Sequence, residues 1–168
     1  MPETLERLAD KLREEGNKTL AFFQAIHDDQ WEQQIYTDGS HWNIRKILAH
    51  LAEAETSLNS LLKNILNGGS GVPEGFDIDR YNESHVPRLD GLAIDELMAL
   101  YENSRKANIL LVSGMRPEEL NLQGRHPFLG MTTIEEILKM LYRHNQLHQR
   151  DIRRAIAGWE ANRIIPNE

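Results

Sequence analysis

The chain has 168 residues, enough for one domain with a real core, and no cysteine, which excludes structural disulfides, thiolate metal sites and a cysteine nucleophile together. Nineteen basic against twenty-six acidic residues leave a net charge of −7. The one basic run, Arg150, Arg153 and Arg154, is what the C-terminal part of a helix favours, so no nucleic-acid partner is expected.

The opening MPETLERLADKLREEG alternates charges with leucines, unlike a signal peptide, and no segment reaches membrane-spanning length. A soluble, cytoplasmic protein without a membrane partner is expected, folded as a single domain over residues 1–168. Its first predicted helix carries Leu5, Leu8, Leu12, Thr19, Phe23 and Ile26 at helical spacing, interrupted by Gly16. The second follows Asn43, a plausible N-cap, and runs through Ile47, Leu51, Ala54, Leu58, Leu61 and Ile65 to the stop Asn67-Gly68-Gly69-Ser70-Gly71. More than twenty residues then intervene, from Asn67 to Ala93, a length that permits a crossover or a lid, and FDIDRYNESH within them can form a short helix. The third helix begins near Ile94 or Asp95 and presents Leu97, Leu100, Ser104, Ala107 and Leu111 before Gly114 and Pro117. A shaped loop with Pro117, Gly124, Pro127 and Gly130 leads to the fourth, which opens on Thr132 and Glu135 as a capping box and ends near Gly158. No segment reads as a strand, so the fold class predicted is all-α, four long helices with a long connection between the second and third.

The fourth helix places two imidazoles where a core expects leucines. Its inward stripe reads Ile134, Ile137, Leu141, His144, His148, Ile152 and Ala155, and side chains four apart share a face, close enough to chelate one ion. Burying a polar ring without a partner costs a few kcal/mol, so this placement asks for a reason. His50, one position before Leu51 at the edge of the second helix's stripe, is the candidate third ligand. Three neutral imidazoles suit one divalent ion such as zinc, nickel, copper or ferrous iron, and three protein ligands with an open position mark a catalytic site. Of the remaining histidines, His27, His41 and His126 read as surface or loop residues, and His85 is one that a lid could carry to the metal.

Glu53, one turn after His50, and Asp151, one turn after His148, are candidate acceptors for a ligand imidazole, and Glu53 is alternatively a candidate base. Between His144 and His148 stand Asn145, Gln146 and Leu147, so the His-Glu-x-x-His motif of metalloproteases is absent. The residues three before His50, His144 and His148 are Ile47, Leu141 and Asn145, which excludes a ferritin-like di-iron site. No glycine-rich phosphate loop or Ser-His-Asp set appears, so no organic cofactor is expected. Trp42, Phe76, Tyr81, Phe128 and Tyr142 could line a pocket, and Arg80 or Arg125 could greet an anion if the loops fold over the site.

HWNIRKILAHLAEAE, FDIDRYN, GRHPFLGMTTIEEIL and HNQLHQRDI, in that order, cover nearly the whole chain. Together they resemble the DinB/YfiT-like superfamily of metal-dependent four-helix proteins. The resemblance implies a four-helix bundle with its second and third helices parallel, often a homodimer, and a metal held by His50, His144 and His148. Members include transferases and an isomerase that use a low-molecular-weight thiol, and proteins called hydrolases. Three functions follow as expectations: a metal-dependent S-transferase joining a small thiol to an electrophilic substrate, a metal-dependent small-molecule hydrolase, or a non-catalytic stress-related binding protein. Zinc or nickel is the expected metal, with iron the alternative.

Overall fold

The computed structural model describes residues 4–164. Four long helices form the bundle: α1 (Leu5–Gln24), α2 (Ile44–Leu66), α4 (Ile94–Ser113) and α5 (Ile134–Ile164). A short helix, α3 (Ile78–His85), followed by a 3₁₀ turn over Val86–Leu89, occupies the connection between α2 and α4, where FDIDRYNESH predicted it. The expectation of no strands needs correction. β1 (Gln34–Tyr36) pairs with β2 (Trp42–Asn43), and β3 (Gln123–His126) with β4 (Gly130–Thr133), as two antiparallel hairpins.

Hydrogen bonds across the bundle give its topology. Along α2 and into α4 they join Arg45 to the Leu92 carbonyl just before α4, Glu55 to Arg105 and Asn59 to Asn108, positions that rise together along both helices, which therefore run parallel. Gln146 to Glu15 and Gln149 to Thr19 make α5 parallel to α1 in the same way.

Local signals explain most boundaries. Thr4 Oγ1 and Asn43 Oδ1 accept from Arg7 N and Lys46 N and start α1 and α2. The start of α5 falls one residue later than predicted, because Thr133 Oγ1 is the acceptor for Glu136 N, and that helix continues through Gly158. Nor does Gly16 interrupt α1. It is buried, and a Cβ there would lie 2.9 Å from Arg105 Cγ, so glycine makes room for the arginine of α4 to lie across the helix. Gly71 (φ 85°) bridges to Arg125, through Arg125 N to Ser70 O and Val72 N to Arg125 O, and joins the long connection to the β3–β4 hairpin. An added Cβ there would strike the Arg125 backbone, and its φ lies in the region that favours glycine.

The core is two apolar clusters with a polar layer between them. One gathers Leu8, Leu12, Leu62, Val112, Ile134 and Ile137. The other gathers Phe23, Trp31, Ile47, Leu48, Leu97 and Ile152. At the level between, every long helix buries polar side chains: Glu15 and Thr19, Glu55, Arg105 and Asn108, and Asn145 and Gln149. They satisfy one another, as buried polar groups must. Asn145 Nδ2 donates to the Tyr101 hydroxyl, Gln149 Nε2 to Thr19 Oγ1 and Gln146 Nε2 to Glu15, whose carboxyl is held down at about 2 by Gln146, Lys18 and Lys11 against its burial. The inward face of α4 is Leu97, Tyr101, Arg105, Asn108 and Val112. The predicted stripe was shifted around the helix: Leu100, Ser104 and Leu111 are half-buried and Ala107 is exposed.

Candidate metal centre and its cavity

At this polar level, on the side where α2 faces α5, three imidazoles meet. His144 Nε2 lies 3.0 Å from His50 Nε2 and 2.9 Å from His148 Nε2. His50 and His148 are buried and His144 half-buried, and theirs is the one histidine or carboxylate group among the described residues whose donor atoms could share an ion. Burial drives all three toward the neutral form: His144 falls to about 3, His148 to about 4 and His50 well below its ordinary value, where the neighbouring imidazoles add to the effect.

Proton bookkeeping around His148 tests whether the cluster fits a cation. The Tyr36 hydroxyl sits 2.8 Å from His148 Nδ1 and 2.7 Å from Asp151 Oδ2. A carboxylate only accepts, so the Tyr36 proton goes to Asp151; His148 Nδ1–H then donates to the Tyr36 oxygen, assigned from these partners. His148 Nε2 is left with a lone pair facing His144. One proton can bridge one pair of nitrogens, whereas a cation satisfies three, and a tetrahedral zinc spaces its nitrogen ligands about 3.3 Å apart, close to the separations seen. The donor set fits a metal ion. Among the described residues, His50 Nδ1 is the one fully buried side-chain nitrogen or oxygen without a hydrogen-bond partner, and its ring packs against Trp42 with centroids 4.6 Å apart.

The sequence signals found the three imidazoles but not Tyr36. Asp151 does support a cluster histidine, through Tyr36 rather than directly. Such supporting contacts fix tautomer and orientation and typically contribute 10–100-fold to metal affinity. Tyr36→Phe is therefore expected to weaken zinc binding about tenfold with little change in urea unfolding of the metal-free protein. A competitive chelator titration that gave equal affinities would remove Tyr36 from the site.

A cavity of about 930 Å³ opens onto the cluster. Tyr36 and Trp42 from the first hairpin, Glu53 from α2, Phe76, Tyr81 and Glu83 from the connection, Phe128 from the second hairpin and Leu147 from α5 help to line it. Of the predicted pocket aromatics, Tyr142 alone lies elsewhere, packed on the apolar core with Lys11 over its ring. Glu53 Oε1 accepts from the Tyr81 hydroxyl at 2.8 Å, and burial, helped by this bond, raises that phenol to about 12. His85 does not reach the cluster: its ring stacks on Tyr81 at 3.7 Å and its Nδ1 is engaged with Ser84 and the Tyr81 carbonyl. His126 lines the cavity, with Nδ1 accepting from Phe128 N and Leu129 N and burial lowering it to about 4. Neither Arg80 nor Arg125 joins the lining, and Arg125 Nη1 donates to the Val72 carbonyl.

A sequence profile described as the DinB superfamily matches residues 11–152. This chain belongs to the DinB superfamily. The DinB fold is shared with YfiT from Bacillus subtilis, described as a probable metal-dependent hydrolase with an unusual four-helix bundle topology, at 18% identity and TM-score 0.74 over 93% of this chain and 87% of that one. An uncharacterised protein from Escherichia coli UTI89 superposes with TM-score 0.75 at 12% identity, over 95% and 96% of the two chains. The mycothiol-dependent maleylpyruvate isomerase gives TM-score 0.72 at 15% identity, over 89% of this chain and 61% of that one. At such identities these DinB-like neighbours speak to the fold. No curated protein matches the sequence. Among the described residues, no helix is long and apolar enough to cross a membrane.

Proposed function

We propose that His50, His144 and His148 hold one divalent metal ion, zinc or nickel before iron, and that the cavity is the active site of an enzyme joining a small external thiol to an electrophilic substrate. The observation that carries this reading is the cavity. Its roughly 930 Å³ is near the upper end of small-molecule sites, room for two reactants beside a three-histidine cluster, in a chain with no cysteine of its own. A divalent ion held there supplies a lowered pKa to a bound thiol or water at neutral pH. Glu53, one turn from His50 and on the cavity wall, takes the thiol proton. The sulfur then forms its bond to the electrophilic carbon while the leaving group departs with its electron pair. Trp42, Phe128 and Leu147 provide apolar wall that orients the electrophile and limits water.

Hydrolysis is the second reading. It is favoured by the Glu53–Tyr81 pair, which can equally hold a base toward water, and by the description of the YfiT neighbour as a probable metal-dependent hydrolase. The test is turnover of a model electrophile, monobromobimane, by zinc- or nickel-loaded protein with bacillithiol, mycothiol or glutathione. Thiol-dependent turnover that vanishes in His148→Ala and falls on the order of 10²-fold or more in Glu53→Gln is expected. Its absence with all three thiols, beside metal-dependent hydrolysis of ester substrates, would replace the transferase with the hydrolase.

A further inference from the structure

The turn of the second hairpin holds a histidine that the metal centre does not use. His126, the last residue of β3, pairs with Gly130 across the loop Pro127-Phe128-Leu129. Its Nδ1 accepts from Phe128 N and from Leu129 N, each at 3.1 Å. Two amide protons aimed at one ring nitrogen leave no room for another, so Nδ1 carries the lone pair and the ring's own proton lies on Nε2, assigned from these partners. Burial lowers the imidazole to about 4, which keeps the ring neutral, and this tautomer in place, at neutral pH.

The turn itself needs only an acceptor at this position, and asparagine or aspartate supplies one through a shorter side chain. What the imidazole adds is a donor beyond the turn. His126 lines the cavity, and among the described residues no protein acceptor takes its Nε2–H. Nor is Nε2 sealed in the core, where His50 Nδ1 is the one fully buried side-chain atom without a partner. The phenols of the same wall differ in this respect: Tyr36 gives its proton to Asp151 and Tyr81 gives its own to Glu53. His126 also stands near the metal centre, since a charge on its ring is felt at His144.

We propose that His126 is a substrate-binding residue whose Nε2–H, fixed by the hairpin turn, donates to an oxygen on the reacting carbon of the electrophile. The proposal takes the cavity to be the substrate site described above and so rests on that reading, which it narrows to epoxides and carbonyl compounds and away from electrophiles without such an oxygen, such as alkyl halides. For an epoxide, Glu53 takes the thiol proton and the S–C bond forms as the C–O bond breaks. The electron pair of that bond goes to the oxygen beside Nε2–H, and the alkoxide then receives the proton from Glu53. A neutral donor set in place beforehand gains strength as charge gathers on the oxygen and needs no reorganisation at that moment.

Acetophenone and α-methylstyrene, which differ in a carbonyl oxygen against a methylene, test it when titrated by NMR into the metal-free and the zinc-loaded protein. In the wild type the imidazole is expected as the Nε2–H tautomer, and its Nε2–H proton should move downfield with the ketone only. His126→Asn keeps a side-chain acceptor for the turn, checked at the Phe128 and Leu129 amide resonances, and lacks the donor. It should lower the affinity for acetophenone relative to α-methylstyrene by about threefold to tenfold, the net contribution of one hydrogen bond. The two wild-type signals decide the matter should the variant not fold. A ring protonated on Nδ1, a relative affinity unchanged by the substitution, or no binding of the ketone at millimolar concentration would overturn the proposal. Zinc affinity is read in the same samples. A ketone preference that depends on His126 without zinc binding would support the donor and count against the metal reading alone, and zinc binding without that preference would do the reverse.

Discussion

Arg105→Met is expected to destabilise the protein by about 3–5 kcal/mol, the usual result of stranding one member of a buried ion pair. Glu55 is 0% and Arg105 3% exposed. The guanidinium donates Nε and Nη2 to the two Glu55 oxygens at 2.9 and 2.6 Å, and Nη1 to the Leu12 carbonyl at 2.8 Å. Asn108 Nδ2 reaches the same carboxylate and the Glu55 carbonyl. One arginine thus ties α4 to both α1 and α2. Methionine keeps much of its stem but leaves Glu55 charged in the centre of the bundle with Asn108 as its remaining hydrogen-bond partner. For a chain of this length the loss corresponds to a fall in Tm of roughly 10 °C. The double substitution Glu55→Met/Arg105→Met should recover most of it, because replacing both charges by apolar groups of similar volume is often neutral or stabilising. Urea unfolding of the three proteins decides the matter, and a single-variant loss under about 1 kcal/mol would mean that water reaches the pair.

This ion pair also marks where the sequence stopped being readable. His144 and His148 were legible because they occupy positions that the period of α5 reserves for apolar side chains, so polarity in the wrong place was itself the signal. Arg105 obeys the same logic, yet on α4 the apolar pair Leu100 and Leu111 was available one step around the helix from Leu97 and drew the stripe toward it. Leu100 and Leu111 are half-buried and Leu110 is 76% exposed, so hydrophobicity alone misplaced the face that the Glu55 contact fixes. Tyr36 was out of reach for a different reason. It stands on a strand of three residues, paired with one of two, too short for any alternation to appear, and its link to His148 spans 112 positions. The second hairpin, with Gly124 buried and Thr132 and Thr133 half-buried, lacks alternation as well. In both places the missing information is tertiary: the hairpins hold their shape by packing on the bundle, and isolated two-stranded ribbons are marginal in water.

His144→Ala is expected to abolish stabilisation by metal. Its Nε2 lies within 3.0 Å of both other cluster nitrogens, so its loss removes the ligand that the other two share. Wild-type protein with zinc at 100 times its dissociation constant should gain about 2.7 kcal/mol, a rise in Tm on the order of 5–10 °C at this chain length, and the variant should gain none. Without metal the same residue acts in the opposite direction as pH falls. Burial holds His144 at about 3 and His148 at about 4, below the ordinary imidazole value of about 6.5 that each recovers on unfolding. Between these values the unfolded chain binds protons that the native state refuses. The stability contributed by each buried neutral ring is therefore complete above pH ~6.5 and is lost progressively toward pH ~4, at a limiting slope of about 1.4 kcal/mol per pH unit for each imidazole. Metal-free His144→Ala has one such ring fewer and should lose stability less steeply over that window, although it no longer responds to zinc. Zinc stabilisation equal to that of the wild type, together with an unchanged slope, would place His144 outside the metal centre.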